Sequence, residues 1–240
     1  MTAIIFDIET IPSQQPGARD HIRASIKPPG TLKKAESIAT WWRDESAAAV
    51  EAEYRKQSLD GGLFGEIISI AVVAADDDTD PGWSYCREPG EAETLVLSLF
   101  ADAVTERINR EAAKNAGGEY NWATDPYFIA HNSAFDLQFV WRRCIVNGVR
   151  LPFKFPRPSA REGKDYGCTM VQWAGYGGRV SLDALCRALR VESPKDGGID
   201  GAGVFDAWQA GECERIRQYN LRDAVATREI WHRLQGGGAQ

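Results

Sequence analysis

Residues 3–12, AIIFDIETIP, have the composition of a strand enclosed in a core, yet they carry two carboxylates. Side chains in a strand alternate faces with a period of two. Asp7 and Glu9 therefore share one face, and Phe6 and Ile8 the other. A buried carboxylate without a partner is expensive, and two like charges side by side raise each other's pKa. A salt bridge, a raised pKa or a metal ion would relieve the conflict; an edge strand with one wet face would avoid it.

At 240 residues the chain is long enough for one sizeable α/β domain with a proper core. GEIISIAVVAA, residues 65–75, is a continuous β-branched run and predicts a second, fully buried strand. Residues 82–86 predict a partner strand, and YFIAH, residues 127–131, a short buried one. Val96, Leu99, Phe100, Ala103, Val104 and Ile108 recur at helical spacing and predict a helix over 91–112. A further helix follows residue 131, with Asn132 or Ser133 as its cap and Gly148 at its end. SLDALCRALR, residues 181–190, predicts a shorter helix capped by Ser181, and a last helix runs from about Gly211 to Leu234. The stretch from Ser193 to Gly203 reads as a loop. Residues 13–62 read as an irregular insertion with one helix near Ile38–Lys56, and 235–240 as a disordered tail. Early strands with alternating helices give an α/β class with a mixed sheet, in a single domain over 1–240.

Five cysteines, an odd number without a C-x-x-C pair, argue against a disulfide framework or a zinc site. There is no apolar run long enough to span a membrane and no secretory leader pattern. The expectation is a cytoplasmic protein with reduced thiols and no membrane partner.

Two more carboxylates stand out. Asp136 lies in HNSAFD, one turn into its helix, where the macrodipole favours an acid. In the last helix Ile216, Tyr219, Asp223, Thr227, Ile230 and Leu234 fall on one face, apolar except for Asp223 and the tyrosine hydroxyl. A carboxylate inside an apolar stripe needs a partner, either the Tyr219 hydroxyl one turn earlier, an internal arginine or a cation.

Taken in order, Asp7-Ile8-Glu9, then Asn132, Phe135 and Asp136, then Tyr219 and Asp223, the pattern resembles the DEDDy class of 3′–5′ exonucleases. The N-x-x-F-D spacing resembles that of family B DNA polymerase proofreading domains, and SLDALCRALRV with SPK resembles the linking stretch of their stand-alone relatives. Gln218 occupies the position where the histidine subclass carries its histidine. The resemblance implies a ribonuclease H-like mixed β-sheet flanked by α-helices. It implies hydrolysis of phosphodiester bonds from a 3′ end, releasing nucleoside 5′-monophosphates, with two divalent ions, Mg²⁺ or Mn²⁺. Asp7, Glu9, Asp136 and Asp223 would hold the ions, Asp7 bridging both, and Tyr219 would orient the attacking water. Thr10, Ile11, Asn132 and Phe135 would meet the end of the substrate, with the side chain of Ile11 in contact with the terminal nucleotide. DNA, single-stranded, is the implied substrate, with RNA as the alternative. Other classes compatible with the fold are a catalytically weak nucleic-acid-binding module and an endonuclease.

The net charge of −6 needs reconciling with a polyanionic substrate. From Arg142 to Lys164 there are seven basic residues, Arg142, Arg143, Arg150, Lys154, Arg157, Arg161 and Lys164, against Glu162 alone, with Phe153 and Phe155 between them. Such a stretch can hold a phosphate backbone and stack bases. Arg19–Lys34 is a second basic excess.

Overall fold

β1 (Ala3–Ile11) is the middle strand of a five-stranded mixed sheet, in a computed structural model that describes residues 2–115, 125–194 and 198–236. The strand order is β3-β2-β1-β4-β5. β2 (Glu66–Ala74) runs antiparallel to β1, with Asp7 opposite Ala71, and β3 (Trp83–Cys86) runs antiparallel to β2. On the other side β4 (Tyr127–Ala130) and β5 (Gly167–Cys168) run parallel. β4 pairs with β1 only from Ala3 to Ile5. Beyond Ile5 the β1 backbone is laddered on its β2 side alone, and the register shifts between Glu9 and Thr10.

Alternation along β1 divides the core. Ile4, Phe6 and Ile8 face α4 (Glu93–Asn115) and α5 (Ser133–Val146), meeting Val96, Phe100, Leu137 and Phe139. Ile5 and Ile11 face the opposite way, toward α9 (Cys213–Gly236) and α8 (Val204–Gln209). Asp7 and Glu9 share the parity of Ile5 and Ile11, so the α9 side receives both carboxylates.

The insertion is more ordered than expected. It holds α1 (Ala18–Ser25), α2 (Ala35–Asp44) and α3 (Ser46–Lys56). The single helix expected near 38–56 breaks at Glu45, and α1 has no counterpart in the sequence reading. α1 buries no residue fully; Ala18 and Ile22 pack half-buried against the core, and the Arg19 guanidinium lies 3.6 Å above the Tyr54 ring and pairs with Glu51 at 2.8 Å. Two apolar positions one turn apart are too few for periodicity to give a sign of it.

β5, α6 (Thr169–Ala174) and α8 were also unforeseen, each being six residues or fewer. α7 (Leu182–Leu189) is capped as expected, the Ala184 amide donating to Ser181 Oγ at 3.2 Å. α9 begins at Cys213, because Gly211 has φ +77 and cannot continue a right-handed helix. It extends to Gly236, so residues 235 and 236 are helical, against the expectation of a disordered tail; residues 237–240 lie outside the described residues, as do 195–197 of the expected loop. The five cysteines are buried and unpaired. Among the described residues no helix is long and apolar enough to cross a membrane.

Candidate active site

The site forms where α9 crosses the face of β1 that carries the carboxylates. Asp7, Glu9 and Asp223 bring carboxylate oxygens within 4.8 Å of one another. Asp7 is half-buried, and Glu9 and Asp223 are each 8% exposed. Asp136, 3% exposed, is not one of this trio and arrives from α5. It reaches β1 on the side that β4 has left open, where the Ile8 amide bonds its carboxylate.

The electrostatics follow from this crowding. Burial raises the Asp7 carboxyl well above its ordinary value; Asp223, Asp136 and Glu9 add to the rise, and a bond from Asn220 opposes it. Burial raises Glu9 as well, again reinforced by Asp223 and Asp136. Asp136 is pushed up to about 8, chiefly by burial, against the pull of the Asp136 and Ile8 amides. The Tyr219 phenol is raised by burial, by Glu9, Asp223 and Asp7, and by its own bond to Asp223, so it stays protonated at neutral pH.

Among the described residues no lysine or arginine acts on Asp7, Glu9 or Asp136. A salt bridge to Asp7 or Glu9 therefore does not resolve the conflict seen on β1. Shared protons or a cation remain, and the donor set suits a cation. It consists of oxygen atoms alone, convergent and buried, which are the ligands of hard divalent ions.

Two participants escaped the sequence reading. Asn220, wholly buried, donates from Nδ2 to Asp7 Oδ2 at 2.6 Å. Ser69, also wholly buried on β2, donates from Oγ to Asn220 Oδ1 at 2.9 Å. This relay fixes the Asp7 carboxylate from behind. The signal was present: Ile216, Asn220, Ala224 and Thr227 form a buried stripe broken by an amide, and Ser69 is the one hydroxyl in an otherwise apolar run, IISIAVVA. His131 was missed too. Its Nε2–H donates to the Val180 carbonyl and its Nδ1 accepts from the Thr169 hydroxyl, each at 2.9 Å, tying the end of β4 to the segments around α6 and α7. Burial lowers the pKa of this imidazole below its ordinary value, against the pull of the Val180 carbonyl.

The remaining predicted residues are placed unevenly. Asn132 is exposed in the left-handed conformation, φ 68, and caps nothing with its side chain. Ser133 does not cap either; its hydroxyl donates to Gly167 O at 2.6 Å and joins β4 to β5. Phe135 is half-buried against Phe139, ring centres 5.4 Å apart. The Thr10 hydroxyl donates to Ser58 O at 2.6 Å. Ile11 is wholly buried with Tyr54 and Ile68, so its side chain offers no surface to a nucleotide, against the expectation.

The basic stretch also needs correction. Arg143 is buried and paired with Glu93 at 2.6 Å, and Arg142 donates to Gly61 O at 2.7 Å. Phe153 and Phe155 are half-buried and pack against Phe100 and Phe128, Phe155 lying 4.8 Å from Phe128, so much of each ring is committed to the core. Arg150, Lys154, Arg157, Arg161 and Lys164 remain exposed.

A mixed sheet whose central strand, fifth helix and last helix converge on buried carboxylates and a tyrosine defines an α/β protein with the ribonuclease H-like exonuclease fold. Residues 63–237 match a family described as predicted 3′–5′ exonucleases related to the exonuclease domain of PolB, and the chain belongs to that family. The matched span contains Asn132–Asp136 and Tyr219–Asp223 but begins after β1, so Asp7 and Glu9 join the site through geometry. No curated protein matches the chain.

Proposed function

We propose that this protein is a metal-dependent 3′–5′ exonuclease of the tyrosine (DEDDy) subclass, acting on single-stranded DNA and releasing nucleoside 5′-monophosphates. The observation that carries this reading is the meeting of Asp7, Glu9 and Asp223 within 4.8 Å on a buried face. The whole chain works as one exonuclease domain, with residues 13–62 as an insertion. Its unpaired thiols suit a reducing compartment, the cytoplasm.

Asp7, Glu9 and Asp223 hold two divalent ions, Mg²⁺ or Mn²⁺, and Asp136 supports the second ion from the α5 side. Such ions, when bound, lower the pKa of an attacking water and neutralise the departing 3′-oxygen. Asn220 keeps one Asp7 oxygen oriented, which leaves the other directed into the site. Tyr219, protonated at working pH, positions the water by hydrogen bonding and does not act as its base. Asn132 and Phe135 border the substrate end. DNA is preferred to RNA on the strength of the family's relation to a DNA polymerase domain.

The test uses matched 5′-labelled DNA and RNA oligonucleotides and a closed single-stranded circle, each with Mg²⁺, Mn²⁺ or EDTA. The expected result is a DNA ladder shortening from the 3′ end, an intact circle and silence in EDTA. Cutting of the circle would make the protein an endonuclease, a faster RNA ladder would move the substrate to RNA, and retardation without products would make it a binding module.

A further inference from the structure

Between α3 and β2 the chain forms a 3-10 turn (Gln57–Leu59) and then a tight loop to Gly65. One carboxylate organises this loop. Asp60 accepts the amides of Gly62 and Leu63 on Oδ1, both at 2.9 Å, and those of Phe64 and Gly65 on Oδ2 at 2.8 and 3.1 Å. Gly62 takes φ +85 and lies on α5 so closely that a Cβ there would stand 3.1 Å from the Phe139 carbonyl.

The loop is tied to two of the three elements that carry the site, β1 and α5. Thr10, next to Glu9 on β1, donates to Ser58 O, and Arg142 of α5 donates to Gly61 O. Phe139 beneath the loop touches Phe135, the neighbour of Asp136. On this anchored frame three large apolar side chains stand in solvent: Leu59 is 74% exposed, Leu63 63% and Phe64 54%. Their exposure contributes nothing to the core, while four amide bonds to Asp60 hold the backbone that presents them.

We propose that this loop is a base platform at the rim of the active site, on which Phe64, flanked by Leu63 and Leu59, packs against unpaired bases at the 3′ end of the nucleic acid. This rests on the nuclease reading above. Stacking on an aromatic ring tolerates any base, because every base has a π-face. The platform therefore selects a splayed single-stranded end over a paired one without selecting sequence. It offers a bare aromatic face where Phe153 and Phe155 are half-buried against Phe100 and Phe128.

The experiment compares wild type, Phe64→Ala and Phe64→Trp on one 5′-labelled oligonucleotide, carrying either natural bases or abasic residues at its last three positions. Both kcat/KM and the anisotropy-derived Kd are measured. Phe64→Ala is expected to lose about 10–100-fold on the natural strand, from the worth of one base–aromatic stack. Phe64→Trp should restore most of that loss. On the abasic-ended strand wild type should fall to the level of Phe64→Ala, so that the two converge. Equal activity of wild type and Phe64→Ala on the natural strand, or the same fold loss on both strands, would overturn the proposal while leaving the nuclease reading intact. A wild type that shortens neither strand would overturn the nuclease reading and the platform with it.

Discussion

Tyr219 stands one helical turn before Asp223 with its hydroxyl bonded to that carboxylate, and Glu9, Asp223 and Asp7 all act on it with negative charge. A phenol so placed keeps its proton, and what it offers a reaction is one directed hydrogen bond. Tyr219→Phe keeps the ring and loses that bond, so single-turnover rates should fall on the order of 10²–10³-fold with Mn²⁺ affinity unchanged. Asp223→Ala should lose both; equal Mn²⁺ affinities for the two variants would show that Asp223 is no ligand. Asn220 works one step further back. It holds Asp7 through a 2.6 Å bond and is itself held by Ser69. Partners of metal ligands are typically worth about 10–100-fold in metal affinity. Asn220→Ala is expected to weaken Mn²⁺ binding by that range, Ser69→Ala by less, both measured by calorimetric titration. Asp7, Glu9 and Asp223 were legible in the sequence because each interrupts an apolar pattern of known period, and Asp136 because Asn132, Phe135 and Asp136 together resemble a family motif. Asn220 and Ser69 interrupt such patterns too, but an uncharged side chain buried alone is commonly satisfied by backbone and points to no particular partner. Only the packing of α9 on β2 brings the two together.

At the scale of elements, the site depends on two strands of unequal length. β4 leaves β1 after Ile5, and the vacated edge lets α5 deliver Asp136 to the Ile8 amide. The long elements were all legible, β1, α4 and α9 by the pattern of their apolar residues, β2 as an unbroken β-branched run, and α5 by the cap and glycine signals at its ends. The short ones, β5, α6 and α8, span two to six residues and show no period, while α1 is secured by Arg19 on Tyr54. The stretch 142–164 misled for a similar reason: charge counts do not reveal which cations are internal. Arg143 is committed to Glu93, and breaking a buried pair typically costs about 3–5 kcal/mol. Arg143→Ala should therefore lower thermal stability sharply without changing the salt dependence of strand binding. Neutralising the exposed Arg150, Lys154 and Arg157 together should do the reverse, flattening the slope of log affinity against log salt because fewer counterions are released. An unchanged slope in the triple variant would remove this surface from the path of the strand.

The whole molecule carries the cost of its site. Without metal, Asp136 holds a proton up to about 8 in the folded protein, whereas an unfolded aspartate releases it near about 4. Across that window the folded state binds more protons than the unfolded one, so stability falls as pH rises. The raised carboxyls of Asp7 and Glu9 act in the same direction. In EDTA the melting temperature should therefore decline between about pH 4 and about pH 8. Mn²⁺ should recover it at the upper end, and Asp136→Asn should flatten the decline. A melting temperature that rises with pH over this window in EDTA would mean that the carboxylates are neutralised from within the protein.

The most direct measurement is made on Asp7→Ala, since Asp7 belongs to the trio and lies on the middle strand of the sheet. Turnover of a 5′-labelled single-stranded DNA and binding of Mn²⁺ are followed for wild type and variant, with circular dichroism to verify the fold. Wild type should shorten the strand from its 3′ end and bind Mn²⁺, while Asp7→Ala should remain folded, bind Mn²⁺ far more weakly and leave the strand intact. Substantial 3′-end shortening by a folded Asp7→Ala protein in Mg²⁺ would contradict a metal site built on Asp7, Glu9 and Asp223.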